Sequence, residues 1–215
     1  MSTTWREPLR SPPRERARAA APAGSHDIVV VGAPAAAARL ASMFLVGLPS
    51  AFGLPLVVIF GGATGDDDER LVTLRAHCAL PVTLVDDKDP ILPARIHLAP
   101  ADYHLFVERD HFVLSAEGPV NGARPSIDVL FESVADAFGP RAVCVLLGGD
   151  DEPAADGRAG AAKVRARGGL VIVENPATAA VGARDSGESP LAAATVLHLS
   201  EIAPFVSTLG TLEAT

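Results

Sequence analysis

The run Ile28-Val29-Val30-Val31 constrains the fold of this chain more than any other stretch. It is apolar and β-branched at four consecutive positions, where a strand with one wet face would alternate with polar residues. A strand of that kind is buried on both faces and belongs in a parallel sheet covered on each side by helices. Leu56-Val57-Val58-Ile59-Phe60, Ala142-Val143-Cys144-Val145-Leu146-Leu147 and Leu170-Val171-Ile172-Val173 repeat the pattern, and Thr195-Val196-Leu197-His198 is a last short strand. Helical periods separate them. Residues 35–46 read as a helix, with Leu40, Met43, Phe44 and Leu48 on one stripe. Leu71, Leu74 and Cys78 mark a second, after the acidic turn Asp66-Asp67-Asp68-Glu69, whose carboxylates suit a helix amino terminus. The third is the clearest: Ile127, Leu130, Phe131, Val134 and Phe138 share a face, Ser126 can cap it, and Gly139-Pro140 stops it. A further helix ends at Gly168-Gly169, and residues 202–209 close the chain.

Residues 82–115 change character. Val82-Thr83-Leu84-Val85, Arg95-Ile96-His97-Leu98, His104-Leu105-Phe106-Val107 and His111-Phe112-Val113-Leu114-Ser115 read as four short strands in an antiparallel patch, the last two a hairpin around Arg109-Asp110. The order of elements predicts a doubly wound, mostly parallel sheet with an inserted antiparallel β-hairpin at one edge, in a Rossmann-like three-layer α/β/α arrangement. Residues 27–215 form that domain. Residues 1–26 form a flexible basic arm, with Arg6, Arg10, Arg14, Arg16 and Arg18 against Glu7 and Glu15, interrupted by Pro8, Pro12, Pro13 and Pro22.

The charge balance excludes some functions. Lys and Arg total 18 and Asp and Glu total 26, so the chain carries −8, which argues against a duplex partner whose affinity rests on neutralising phosphates; no nucleic-acid partner is expected. Cys78 and Cys144 are too few for a disulfide framework, and the arm has no apolar signal-peptide core, so a cytoplasmic setting is expected. Residues 40–65 hold no charge and are long enough to span a bilayer. Gly47, Pro49, Gly53, Pro55, Gly61 and Gly62 break the segment, however, and membrane insertion is not expected.

In an open α/β sheet the ligand site lies at the carboxyl ends of the strands, which puts forward the loops at 32–37, 60–65 and 148–157. The first lacks the G-x-G-x-x-G spacing of a dinucleotide loop, since Pro34 and Ala37 stand where the second and third glycines belong; no cofactor is expected. The third is acidic. Asp150, Asp151, Glu152 and Asp156 are oxygen ligands that could hold a divalent cation, with Asp150 and Asp151 the foremost candidates. A solvated acidic loop accounts for them more simply, and a metal or nucleotide binder acting through 148–157 stands as an alternative function.

Three strings resemble a family. Asn121-Gly-Ala-Arg-Pro-Ser-Ile-Asp-Val-Leu-Phe131 is close to N-x-H-R-P-S-V-D-V-L-F, residues 87–100 (Asp-Lys-Asp-Pro-Ile-Leu-Pro-Ala-Arg-Ile-His-Leu-Ala-Pro) to D-G-E-P-L-x-P-G-x-V-Y-L-A-P, and Asn175-Pro-Ala-Thr-Ala-Ala-Val181 to D-P-x-S-A-A-V. On these the segment 28–206 resembles the catalytic domain of the chemotaxis receptor methylesterases (CheB-type). That family hydrolyses glutamate methyl esters on chemoreceptors and in some members deamidates receptor glutamines. No receiver domain is expected ahead of the domain, because the arm is too short.

The resemblance implies a Ser-His-Asp hydrolase, in which serine attacks, histidine takes its proton and aspartate orients the ring. The family's G-A-S-x-G-G reads Gly32-Ala33-Pro34-Ala35-Ala36-Ala37, so Pro34 occupies the nucleophile position. Its V-V-V-Q-H reads Val57-Val58-Ile59-Phe60-Gly61, so Gly61 occupies the base position. Asp156-Gly157 matches the aspartate of L-T-G-M-G-x-D-G, in a loop three residues longer than the family's, so Asp156 is kept in type while its placement is open. Removing a nucleophile or base from such a unit costs on the order of 10⁶ in rate. His26, His77, His97, His104, His111 and His198 read as structural or surface residues, Ser42 and Ser50 as remote, and Cys144 as a buried, inert thiol. The expectation is a catalytically inactive binding module linked to chemotaxis, partnered by a chemoreceptor or another sensory-adaptation protein. The alternative is an active methylesterase or glutamine deamidase with relocated catalytic residues. Oligomeric state is not legible.

Overall fold

A computed structural model of the chain describes residues 26–148, 155–175 and 194–210. Seven strands form one sheet: β1 (Ile28–Pro34), β2 (Pro55–Gly61), β3 (Val82–Leu84), β4 (Arg95–Leu98), β7 (Ala142–Leu146), β8 (Leu170–Glu174) and β9 (Thr195–Leu197). Their spatial order is β3-β4-β2-β1-β7-β8-β9, and every pairing is parallel. β3 and β4, which the sequence places in an antiparallel patch, are therefore parallel members of the main sheet. Among the described residues the antiparallel strand pair is the hairpin, β5 (His104–Val107) with β6 (Phe112–Ser115), which forms a separate two-stranded sheet.

Each strand of the centre has two buried faces, and the alternation of its side chains divides the core in two. Val29 and Val31 of β1 with Leu56 and Val58 of β2 pack against α1 (Ala38–Val46), α2 (Asp67–His77) and α5 (Leu199–Gly210). Ile28 and Val30 with Val57 and Ile59 pack against α3 (Ile127–Phe138), α4 (Arg158–Ala166) and the hairpin. This is the three-layer arrangement that apolar runs without polar alternation require. The hairpin lies on α3, inserting Leu105, Val107 and Phe112 and tying its backbone to the helix by Val107 N–H on Ser133 Oγ at 3.0 Å.

Local chemistry sets the element ends. Asp66 caps α2, its carboxylate accepting from the backbone N–H of Asp68 at 2.8 Å, and Asp67 pairs with Arg70 at 2.7 Å. The acidic turn is thus occupied by capping. At α5, His198 Nδ1 accepts from Ser200 N–H and Glu201 returns a carboxylate to the His198 N–H at 2.9 Å, a reciprocal cap with an imidazole in the serine's place. No helix among the described residues is long and apolar enough to cross a membrane. The basic arm, residues 1–25, lies outside the described residues.

Candidate functional site

The chain runs from β1 leftward to β2 and later returns on the other side of β1 to β7, so the order reverses at the carboxyl ends of β1 and β7. That reversal is where an open α/β sheet places a site. Pro34 and Gly61 are the last register partners of the β1–β2 ladder and meet there side by side. Asp156, shortly before α4, lies at the same point: a β-carbon built on Gly61 would lie 3.1 Å from Asp156 Oδ2. Positions 34, 61 and 156, separated in sequence by up to 122 residues, are brought together.

The chemistry at these positions is limited. Pro34 has no hydroxyl and no N–H, and Gly61 has no side chain. Asp156 is held by the start of α3. Its Oδ1 accepts from Ser126 Oγ at 2.8 Å and from Asp128 N–H at 3.0 Å, and its Oδ2 accepts from Ile127 N–H at 2.7 Å. Ser126, the one described hydroxyl that touches Asp156, is fully buried and spends its proton on that carboxylate. Its Oγ also accepts from Val129 N–H at 3.4 Å, the cap that the sequence predicts.

Asp128 is a buried carboxylate beside the half-buried Asp156, and its sequence position, in the first turn of α3, suggests only a favourable helix-end charge. It points inward. Oδ1 accepts from Gly160 N–H of α4 at 2.7 Å and Oδ2 from Asn121 Nδ2 at 2.7 Å. Burial, reinforced by the Asp156 carboxylate, holds its carboxyl above the usual range against the opposing Gly160 hydrogen bond.

Small side chains and close packing complete the site. Ala35, Ala36, Gly62, Asn121 and Gly122 are exposed around it. The methyl group of Ala37 is seated on the Cα of Gly148: a β-carbon at 148 would come within 2.4 Å of it. Ala123, where the resembled string carries a histidine, faces Gly62, its methyl group 3.8 Å from a β-carbon built there. The sequence marks Ile127 only as a core position of its helix, while the resembled string bears the signal for Ala123.

The histidines lie elsewhere. His26 precedes β1 at the amino-terminal end of the sheet. His77 Nδ1 contacts Thr73 O, His97 Nε2 the Leu92 backbone, His104 Nε2 Gly118 O and His111 Nδ1 Asp110. His198 Nδ1 lies 2.8 Å from Ser200 Oγ, a serine–imidazole contact, but within the α5 cap at the exposed edge strand, three strands from β1. Ser42 donates to Ala38 O within α1, and burial pushes the Cys144 thiol up. Asp150 and Asp151 lie outside the described residues, and among the described residues no group of three His, Cys, Asp or Glu side chains could hold a metal ion.

Comparison with known proteins bears on the family and the fold. The family model described as CheB methylesterase matches residues 29–206. A protein of Leptospira interrogans, by its name a candidate protein-glutamate methylesterase/protein-glutamine glutaminase, is 32% identical over 158 residues, covering 73% of this chain and 80% of that one. A protein-glutamate methylesterase/protein-glutamine glutaminase of Myxococcus xanthus is 36% identical over 151 residues, covering 70% of this chain and 41% of that longer protein. The crystal structure of the Thermotoga maritima CheB methylesterase catalytic domain superposes with a TM-score of 0.75 at 28% identity, covering 86% of this chain and 99% of that domain.

Proposed function

The chain belongs to the CheB methylesterase family, and from that premise we propose that it is a member which no longer hydrolyses esters and uses the scaffold to bind a component of chemosensory adaptation. One observation carries the reading: Pro34 and Gly61 stand together at the end of the β1–β2 ladder, where the family's chemistry needs a hydroxyl and an imidazole. Acyl transfer needs a nucleophile within reach of a base. Proline offers neither a hydroxyl nor a proton, glycine offers no base, and Asp156, the counterpart of the orienting carboxylate, has no ring to orient. Hydrolysis through relocated residues would need a free histidine beside a serine at this end of the sheet. Against it stands the engagement of His77, His97, His104, His111 and His198 in backbone, capping and surface contacts.

Binding makes smaller demands. Among the described residues the rim of Ala35, Ala36 and Gly62 is exposed and free of bulky side chains, so a segment of a chemoreceptor can approach the strand ends closely. The setting is the cytoplasm, where receptor adaptation segments lie. The test is calorimetric titration of the chain with a purified chemoreceptor cytoplasmic fragment. Saturable binding that Ala36→Trp weakens by about tenfold or more is expected. No saturation up to roughly 100 μM would contradict the proposal.

A further inference from the structure

Gly61 has no side chain, yet the space in front of it is filled. A β-carbon there would lie 3.0 Å from both Cδ1 and Cγ1 of Ile127, tighter than atoms of this kind pack without displacement. Ile127 is fully buried and has little room to yield. Its amide is fixed on Asp156 Oδ2 at 2.7 Å. Its other branch, Cγ2, would lie 2.4 Å from a β-carbon on Gly32, so that branch sits directly on the β1 backbone. The side chain is thus wedged across two adjacent strands, one methyl group on Gly32 and the ethyl arm on Gly61.

We infer that Ile127 is the positioning residue that keeps position 61 closed to any side chain, and that the Asp156 carboxylate behind it is still placed to receive a ring N–H from an imidazole at 61. The inference rests on the reading that position 61 is where the family's base belongs, but not on whether the native chain hydrolyses anything. Shortening Ile127 to valine removes Cδ1 and lets the remaining methyl group retreat.

The experiment is a thermal double-mutant cycle on the full chain with Gly61→Ala and Ile127→Val, two small changes chosen so that every member folds. Gly61→Ala lowers Tm by about 3 °C or more alone, and by less than half that amount in the Ile127→Val background. Equal losses in both backgrounds would overturn the gate. A second readout is insensitive to packing alone. In Gly61→His/Ile127→Val the imidazole, followed by NMR, titrates above its ordinary value of about 6.5, and adding Asp156→Asn brings the midpoint down. A midpoint indifferent to Asp156→Asn would overturn the placement of the acid. Ester hydrolysis by the native chain would sink the proposed function and leave both readouts standing, so the two failures are distinguishable.

Discussion

The backbone N–H of Ile127 donates to Oδ2 of Asp156 at 2.7 Å, so this carboxylate anchors the first turn of α3. Ser126 Oγ and Asp128 N–H hold its other oxygen. Three donors on one carboxylate at a helix amino terminus combine a cap with a favourable helix-end charge.

Removing that carboxylate leaves buried donors unpaired. Asp156→Ala is expected to cost about 2–4 kcal/mol, a drop of roughly 5–15 °C in Tm. Ser126→Ala, which removes one of the three donors, costs about 1 kcal/mol. Thermal unfolding of the two variants checks this. A Tm for Asp156→Ala within a degree or two of the native chain would show that the anchor is not needed.

Asp128 gives the fold a pH dependence of definite sign. Its folded carboxyl titrates above its ordinary value of 3.8 because burial disfavours the charged form. The folded chain therefore takes up this proton before the unfolded chain does, and this group's contribution to stability rises as pH falls through the folded value toward 3.8. Asp128→Asn cannot make that gain. Its stability relative to the native chain is expected to fall between pH 7 and pH 4 in urea titrations at matched ionic strength. A relative stability that rises over the same range would reverse the assignment.

The serine–imidazole contact of His198 and Ser200 is a helix cap, and caps have their own signature. His198→Ala is expected to cost about 1 kcal/mol. Because His198 and Glu201 form one reciprocal unit, Glu201→Ala should add much less in the His198→Ala background than alone. Additive losses in thermal melts would mean that the two residues act separately.

The central strands were readable because burial on both faces leaves no polar alternation: Ile28-Val29-Val30-Val31 can sit only inside a sheet. The edge strands were harder. Val82-Thr83-Leu84 is half-buried, so its alternation imitates an antiparallel strand, and its parallel pairing with Arg95–Leu98 is decided by partners distant in sequence. Pro34 and Gly61 were legible as the proposed nucleophile and base positions only because neighbouring strings resemble a known pattern. The inward aim of Asp128 was not legible, since it depends on Gly160 arriving 32 residues later. Nor was the wedge of Ile127, which exists because two glycines on adjacent strands leave it room.

The central claim is that no bond-breaking apparatus stands at the carboxyl ends of β1 and β2. The most direct test is methanol release from a radiolabelled, methylated chemoreceptor incubated with the purified full chain, with a catalytically competent family member run alongside. The account predicts release indistinguishable from the protein-free blank while the competent enzyme turns over. Release well above the blank that tracks the purified chain through successive columns would contradict it.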